Sequence, residues 1–435
     1  MLAYYFNLAL RSFKRHKVLT ALMVLAIGLG IGASMTTLTV FHVLSGDPMP
    51  GHSQNLYTPQ IDARDTYPGI ESEPLPTQFT RADAENLLRD AKGDRQVLMA
   101  WGNVGIEPAR NDLKPMNVEA RFNSADFFPM FRTPFLFGQG WDAQADANRA
   151  RVVVITKELN DKLFDGQDSV GKDIRVDQHN FRIVGVLDDW RPTPKFYDLT
   201  SPSFAKPEQV YVPFSTSRDV DMSRSGNMDC FRQRDEGVRD TDIGAGCMWM
   251  QYWVQLDTPA KAADYKRYLQ NYVQEQHRAG RFQLNREPEL RNTMEWLEFQ
   301  RVVPSDVRLQ LWLAMGFLAV CLLNTVGLLL AKFLRRSGEI GVRRALGASR
   351  REIFNQCLVE AATVGLAGGV LGLLLALTGL WLVRQQPADY AELAQLDPAM
   401  LLTTFVLALV ASLLAGLLPA WRAMQITPAV QLKSQ

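Results

Sequence analysis

Four stretches of the chain, 18–44, 309–330, 361–383 and 398–421, carry no Asp, Glu, Lys or Arg over 27, 22, 23 and 24 residues. A helix needs roughly 18 to 20 apolar residues to cross a hydrocarbon core of about 30 Å. Helices of a soluble core seldom run so far without one charge to meet water, so the pattern predicts four membrane crossings, placed at 18–44, 307–331, 357–384 and 399–421. The first stretch also has the basic flank of a secretory signal in Arg15 and Lys17, with small residues for cleavage at Gly32, Ala33 and Ser34. Its apolar run continues through Met35, Leu38, Val40, Phe41 and Leu44, too far for a signal core, which predicts an uncleaved anchor.

The pattern changes over 45–306. Helical periodicity recurs at 83–91, 158–164 and 260–276; in the last, Tyr265, Tyr268, Leu269 and Tyr272 share a face. Runs rich in β-branched and aromatic residues at 151–156, 173–176, 181–187, 209–214 and 248–256 predict strands, so the segment is expected to be a large α+β domain. Pro, Ser, Gly, Asp and Arg dominate 191–245, which predicts long loops or an inserted lobe. Trp296, Leu297, Phe299 and Val302, ahead of Pro304, suggest a stalk into the second crossing.

Basic residues near span ends stay in the cytoplasm. Arg11, Lys14, Arg15 and Lys17 precede the first span without an acid, and the link 332–356 carries Lys332, Arg335, Arg336, Arg343, Arg344, Arg350 and Arg351 near Glu339. The link 385–398 has Asp389, Glu392 and Asp397 after Arg384 and falls on the opposite side. The expected fold class is thus a multi-pass α-helical membrane protein of four transmembrane helices, both termini cytoplasmic (1–17 and 422–435), with the α+β domain outside, between the first and second helices. Leu2, Phe6, Ala9 and Phe13 recur at helical spacing, which fits either an amphipathic helix on the membrane surface or a continuation of the first span.

Whole-chain averages add little: a net charge of +1 and a mean hydropathy of −0.10 blend two unlike parts, and the charge balance gives no reason for a nucleic-acid partner. Cysteine placement is more telling. Cys230 and Cys247 lie 17 positions apart in the external segment, while Cys321 and Cys357 lie in or beside spans. In an oxidising compartment the first two are placed to pair as a disulfide; the alternative is two unpaired buried thiols.

Gly166 to Asp173 has the glycine and lysine spacing of a phosphate-binding loop, but Asp173 stands where Ser or Thr would hold Mg²⁺, and the next residues read as a strand rather than a helix. Gly28, Gly30 and Gly32 lack the preceding strand of a dinucleotide fingerprint. Glycines four apart in a membrane helix let another helix approach closely, which fits Gly28 with Gly32, Gly365 with Gly369, and Gly368 with Gly372. His16, His42, His52, His179 and His277 show no metal-ligand spacing. No catalytic residue, metal site or cofactor is expected on this chain.

The link from Glu339 to Phe354 stands out. It combines Ile340, Leu346, Ile353 and Phe354 with Glu339, Arg343, Arg344, Arg350 and Arg351, and Gly347 permits a turn between two short helices after Gly341. Such an element suits docking into a groove of a soluble partner; its plainer reading is a positive-inside anchor.

At this link, Glu339-Ile340-Gly341-Val342-Arg343-Arg344-Ala345-Leu346-Gly347-Ala348, the chain resembles permeases of the MacB and FtsX superfamily. The resemblance extends to Phe127-Phe128, Gly138-Gln139-Gly140, Phe164-Asp165-Gly166, Val170-Gly171-Lys172 and the ending Pro419-Ala420-Trp421-Arg422-Ala423-Met424 with Pro428-Ala429-Val430-Gln431-Leu432. It implies a bacterial inner-membrane permease with its large domain in the periplasm, working as a dimer with an identical copy or a paralogue. The link would be a coupling helix that turns Glu339, Arg343, Arg344 and Gly347 towards an ABC ATPase, which holds the ATP and Mg²⁺. MacB carries its ATPase at its own N-terminus, so here the ATPase is expected on another polypeptide. A periplasmic adaptor and an outer-membrane channel are further partners the family suggests. ATP-powered export by mechanotransmission is the leading expectation; a lipoprotein-release permease, a regulator of cell-wall hydrolases and a membrane receptor are the alternatives.

Overall fold

The computed structural model describes residues 4–5, 8, 12–13, 17–110, 112–232, 236–387, 389–395 and 398–425. Leu2, Phe6 and Ala9 of the amphipathic N-terminal segment, and the ending from Pro428 to Leu432, lie outside the described residues. The chain forms two compact units, a helical one (Met1–Ser45 with Val303–Gln435) and a globular one (Gly46–Val302).

The helical unit is built on Lys17–Ser45, Ser305–Arg335, Arg350–Arg384 and Pro398–Met424, four helices long and apolar enough to cross a membrane. Only a helix or a closed barrel satisfies its backbone hydrogen bonds without water, which is why such sequences become helices. Leu22, Leu25 and Leu29 on the first helix, and Leu309, Trp312, Leu313, Val320 and Leu323 on the second, stay exposed, as lipid-facing side chains do. Met23, Ile27, Ile31, Met35, Leu318, Phe333 and Val364 fill the interior. The second helix runs past the expected end at 331 through Lys332 and Arg335, and the third begins at Arg350 rather than 357, taking in Arg350, Arg351 and Glu352.

Small residues set the helix approach. A methyl group on Gly368 would stand 2.6 Å from Ile27 Cγ2 of the first helix, one on Gly372 2.9 Å from Ile31 Cβ, and one on Gly32 2.7 Å from Leu375 Cβ. Gly28 is closed off by Leu371 in the same seam. Gly365 and Gly369 of the third helix face Ser412 and Ala408 of the fourth. Interhelical contact in a membrane depends on such van der Waals fit, since lipid offers no hydrophobic drive.

In the globular unit the strands are β1 (Leu56–Gln60), β2 (Phe79–Thr80), β3 (Arg95–Glu107), β4 (Met116–Asn123), β5 (Phe135–Gly138), β6 (Val152–Thr156), β7 (Asp173–Val176), β8 (His179–Leu187), β9 (Val210–Pro213), β10 (Asp229–Cys230), β11 (Cys247–Gln255) and β12 (Glu289–Asn292). They join in the order β12-β1-β11-β3-β4-β9-β6-β8-β5, with β2 and β10 on β11 and β7 on β3 and β8. Pairing is mostly antiparallel, but β4 with β9 and β6 with β8 run parallel. Helices Arg81–Asp90 and Pro259–Arg278 send Ala84, Leu87, Tyr265, Leu269 and Tyr272 into the core.

Two departures from expectation have local causes. β3 and β4, the longest antiparallel pair, had no counterpart in the sequence reading: Gly102, Asn103 and Gly105 interrupt β3, and Glu119, Arg121 and Asn123 make β4 look polar. Gly102 is required there, because a side chain would collide with the Phe122 ring (2.6 Å to Cζ). The expected stalk is a correction: Thr293–Phe299 is a helix of the globular unit, capped by Asn292 and Glu295, with Trp296 and Leu297 buried and Thr293 Oγ1 donating to Leu56 O at 3.3 Å.

The expected lobe 191–245 is mainly loop, and it contributes to a buried ionic cluster. Arg121 of β4 pairs with Asp198 (2.7 Å) and Glu208, Lys195 Nζ meets Glu208 Oε1 at 2.8 Å, and Tyr197 OH donates to Glu208 Oε2 at 2.9 Å. All four charged side chains are fully buried. Burial alone would push the Glu208 carboxyl up; the Arg121 guanidinium and the Lys195 ammonium outweigh it and hold the group at about 2. The cluster thus fastens the loop to β4.

The structure joins Cys230 of β10 to Cys247 of β11, which face each other in register. Three outcomes are expected from these features. Replacing both cysteines by serine should cost about 3 kcal/mol if unfolded-chain entropy dominates, read as a lower unfolding temperature of the full chain in detergent. Gly368→Leu should destabilise the helical unit by about 1–3 kcal/mol or more through overpacking, whereas Gly327→Ala, with open space at its Cβ position, should be near neutral. Because the folded Glu208 value lies below the ordinary 4.5, its contribution is present above that pH and is lost as pH falls towards about 2. Glu208→Gln should therefore cost about 3 kcal/mol at pH 7 and flatten acid unfolding in that window, followed by near-ultraviolet circular dichroism.

Candidate functional site

The link between the second and third long helices folds as a short helix, Ser337–Ala345, then a turn, then the start of Arg350–Arg384. Its ending is set by Gly347, whose φ of +103° suits glycine; Gly347 N–H donates to Arg344 O (3.2 Å) and Ala348 N–H to Arg343 O (3.0 Å). These two bonds close the helix in the Schellman manner. The next helix is started by a capping box, with Ser349 accepting from Glu352 N–H and Glu352 accepting from Ser349 N–H. Gly347 is a turn residue by this geometry, and it fixes the angle at which the two helices meet.

The short helix has two unlike faces. Ile340 and Gly341 are buried, and Ile340 packs with Ile353 and Cys357 in the interior of the helical unit, with Phe354 and Ala348 against that cluster. Glu339 accepts from Arg336 (3.1 Å) and from Arg343 (3.0 Å), and Arg343 also donates to Gln356 Oε1 at 2.9 Å. On the other side, Val342 and Leu346 are 57% and 83% exposed. Four positions apart, they share a face. Arg350 and Arg351 are exposed beyond the turn, and Arg344 is half-buried. An outward apolar pair with a basic margin is the form of a docking knob, and leaving two large aliphatic side chains in water is unfavourable by about 25 cal/mol per Å².

The residues expected to contact a partner are thus divided. Ile340, Gly341 and Ile353 serve the fold, and Glu339 and Arg343 pair with neighbours in the same chain. Leu346, Arg350 and Arg351 are free to meet another surface. The sequence reading passed over Val342, although an apolar residue four before Leu346 was the signal that one face stays apolar. Gly166 to Asp173 follows the helix Lys157–Phe164 and runs into β7, and Ser169 is buried on Asn160 (2.6 Å), so the loop opens a strand rather than a helix.

A family model described as the MacB-like periplasmic core domain matches residues 20–272, and one described as the FtsX-like permease C-terminal matches 312–428. The chain belongs to the MacB/FtsX-type permease superfamily. The permease is 25% identical over 417 residues to the macrolide export ATP-binding/permease protein MacB of Agrobacterium fabrum, covering 95% of this chain and 58% of that protein. Against the protein of that description from Bordetella avium the identity is 28%, covering 67% of this chain and 39% of the relative. The pyoverdine export ATP-binding/permease protein PvdT of Pseudomonas syringae is 25% identical, covering 72% of this chain and 42% of the relative. The chain spans well under two thirds of the length of these relatives. The periplasmic region of MacB from Actinobacillus actinomycetemcomitans superposes with a TM-score of 0.37 at 13% identity, covering 59% of this chain and 96% of that region. The link 337–354 falls within the stretch that matches the permease C-terminal model.

Proposed function

We propose that this permease is the membrane subunit of an ABC exporter, and that it passes movement from a cytoplasmic ATPase to its periplasmic domain. The observation that carries the reading is the exposed pair Val342 and Leu346 beside Arg350 and Arg351, on a short helix whose other face is locked into the membrane bundle. A knob so constructed transfers a push from a bound partner to the helices instead of bending. The complementary surface would be an apolar groove with an acidic margin on the ATPase.

The relatives' names pair ATP binding with a permease, and the two family models matched on this chain are a periplasmic core domain and a permease C-terminal. ATP and Mg²⁺ would therefore be held outside these 435 residues, in our reading by a separate polypeptide. The topology that goes with it places both termini and the 337–354 link in the cytoplasm of a bacterial inner membrane and the globular unit in the periplasm. A second copy or a paralogue completes the transporter, and a periplasmic adaptor with an outer-membrane channel would extend the route. The relatives named for macrolide and pyoverdine export support outward transport as its direction.

Affinity purification from native membranes in mild detergent tests the docking face. The native chain should retain a nucleotide-binding ATPase, and Val342→Asp combined with Leu346→Asp should weaken that retention by about tenfold or more, as loss of an interface hot spot does. These side chains are exposed, so the variant should melt like the native chain. Undiminished ATPase retention by the variant would move the docking site elsewhere.

A further inference from the structure

At the foot of the helical unit the membrane helices close on charges rather than on aliphatic side chains. Glu360 of the third long helix and Lys332 of the second are 3% and 1% exposed, and Lys332 Nζ lies 2.7 Å from Glu360 Oε1. Ser12 Oγ donates to the same oxygen at 2.6 Å, and Lys332 Nζ donates to Thr20 Oγ1 of the first helix at 3.4 Å while lying over the Phe13 ring. Arg336, at the junction with the short helix, places Nη1 3.1 Å from Glu360 Oε2 and turns Nη2 towards Glu339 at 3.1 Å. One guanidinium thus holds a carboxylate of the bundle with one prong and a carboxylate of the docking helix with the other.

An ionisable group inside a membrane bundle is costly unless paired, and its survival usually marks function. Packing alone needs no such group, and apolar residues of similar volume would often serve a bundle as well or better. The arrangement has an asymmetry that packing does not explain. Glu360 has two cations and needs one. If Arg336 withdraws, Lys332 still neutralises Glu360, so no unpaired buried charge is left behind. Glu339 likewise keeps Arg343 (3.0 Å), which is held by Gln356 of the third helix (2.9 Å). Arg336 is therefore able to change partners at small cost, whereas Lys332 is fixed. The planar fork of arginine, with separate donors on each side, suits this bridging position in a way lysine would not.

We infer that Glu360 and Arg336 form a releasable latch between the docking helix and the membrane helices, with Lys332 as the fixed counter-ion that makes release possible. This rests on the proposed docking of an ATPase at Val342 and Leu346. In the latched state Arg336 ties the short helix to the third long helix; a push on the knob separates Arg336 from Glu360 and frees the second and third helices to move against each other. Glu360 and Arg336 are positioning residues that act on the coupling of ATP use to movement, not on nucleotide chemistry or on the docking contact.

The test uses the full permease, reconstituted with its ATPase in lipid nanodiscs and carrying spin labels at exposed Ile243 and Leu382, one in each unit. Retained ATPase, ATP hydrolysis and the ATP-driven change in label separation are measured for the native chain, Arg336→Gln, Glu360→Gln and the exchanged pair Lys332→Glu with Glu360→Lys. Both single variants should retain the ATPase and its hydrolysis while the ATP-driven shift in population falls at least about fivefold. The exchanged pair restores a buried ion pair but sets a lysine of the third helix against Arg336. It should melt above Glu360→Gln, whose Lys332 is left buried without a counter-charge, and still not recover the distance change. Native-like ATP-driven changes in Arg336→Gln, which leaves the Lys332–Glu360 pair intact, would overturn the latch even if Glu360→Gln failed to fold. Full recovery of movement by the exchanged pair would also overturn it and leave the cluster a purely structural role. Failure of the native chain to retain any ATPase would instead remove the docking reading on which the latch depends.

Discussion

A charge taken out of water must find a partner or be excluded, and this constraint shapes the permease from its helix boundaries to the link between its second and third long helices. Over most of the four long helices the sequence meets it by exclusion. At the foot of the bundle it meets it by pairing: Lys332 and Glu360 lie inside the helices and neutralise each other, Arg336 at the junction divides itself between Glu360 and Glu339, and Ser12 and Thr20 of the N-terminal part join them. Desolvation of such groups costs several kcal/mol each, so the cluster forms only with all members near. The same rule governs the globular unit, where Arg121 is fully buried because Asp198 and Glu208 come with it.

Close helix approach and the charge cluster support each other. Gly28 and Gly32 of the first helix are closed off by Leu371 and Leu375 of the third, and Gly368 and Gly372 of the third by Ile27 and Ile31 of the first, while Gly365 and Gly369 bring in the fourth. A seam packed this closely leaves little room to absorb a displacement, since packed interiors have low compressibility. Under the proposed topology, a push at Leu346 meets first the turn at Gly347, then the ionic junction at Arg336, then a glycine seam. On the proposed reading, movement is directed to the place where partners are duplicated.

What could be read from the sequence follows the reach of each signal. Long charge-free runs mark membrane helices without tertiary information, and the four helices are where that count puts them. The second runs four residues past its expected end and the third starts seven residues before its expected beginning, because Lys332 and Arg335 on one side and Arg350, Arg351 and Glu352 on the other look like boundaries in the sequence. β6, β7, β8, β9 and β11 show their β-branched and aromatic residues, but β3 and β4 do not: Gly102 and the buried Arg121 make sense only against Phe122, Asp198 and Glu208. The link 337–354 was identifiable by its composition. Which of its faces is inward was not, since Ile340 and Leu346 are alike as residues and opposite in environment.

The most direct measurement of the central claim is site-specific photo-crosslinking in native membranes, with a photoreactive side chain at position 346 and, as a control, at Ile243 of the globular unit. The account predicts that position 346 crosslinks to a nucleotide-binding ATPase and that position 243 does not, with the 346 adduct changing in yield when ATP is hydrolysed. Crosslinks from 346 to lipid or periplasmic proteins alone, under conditions where the protein is folded, would contradict it.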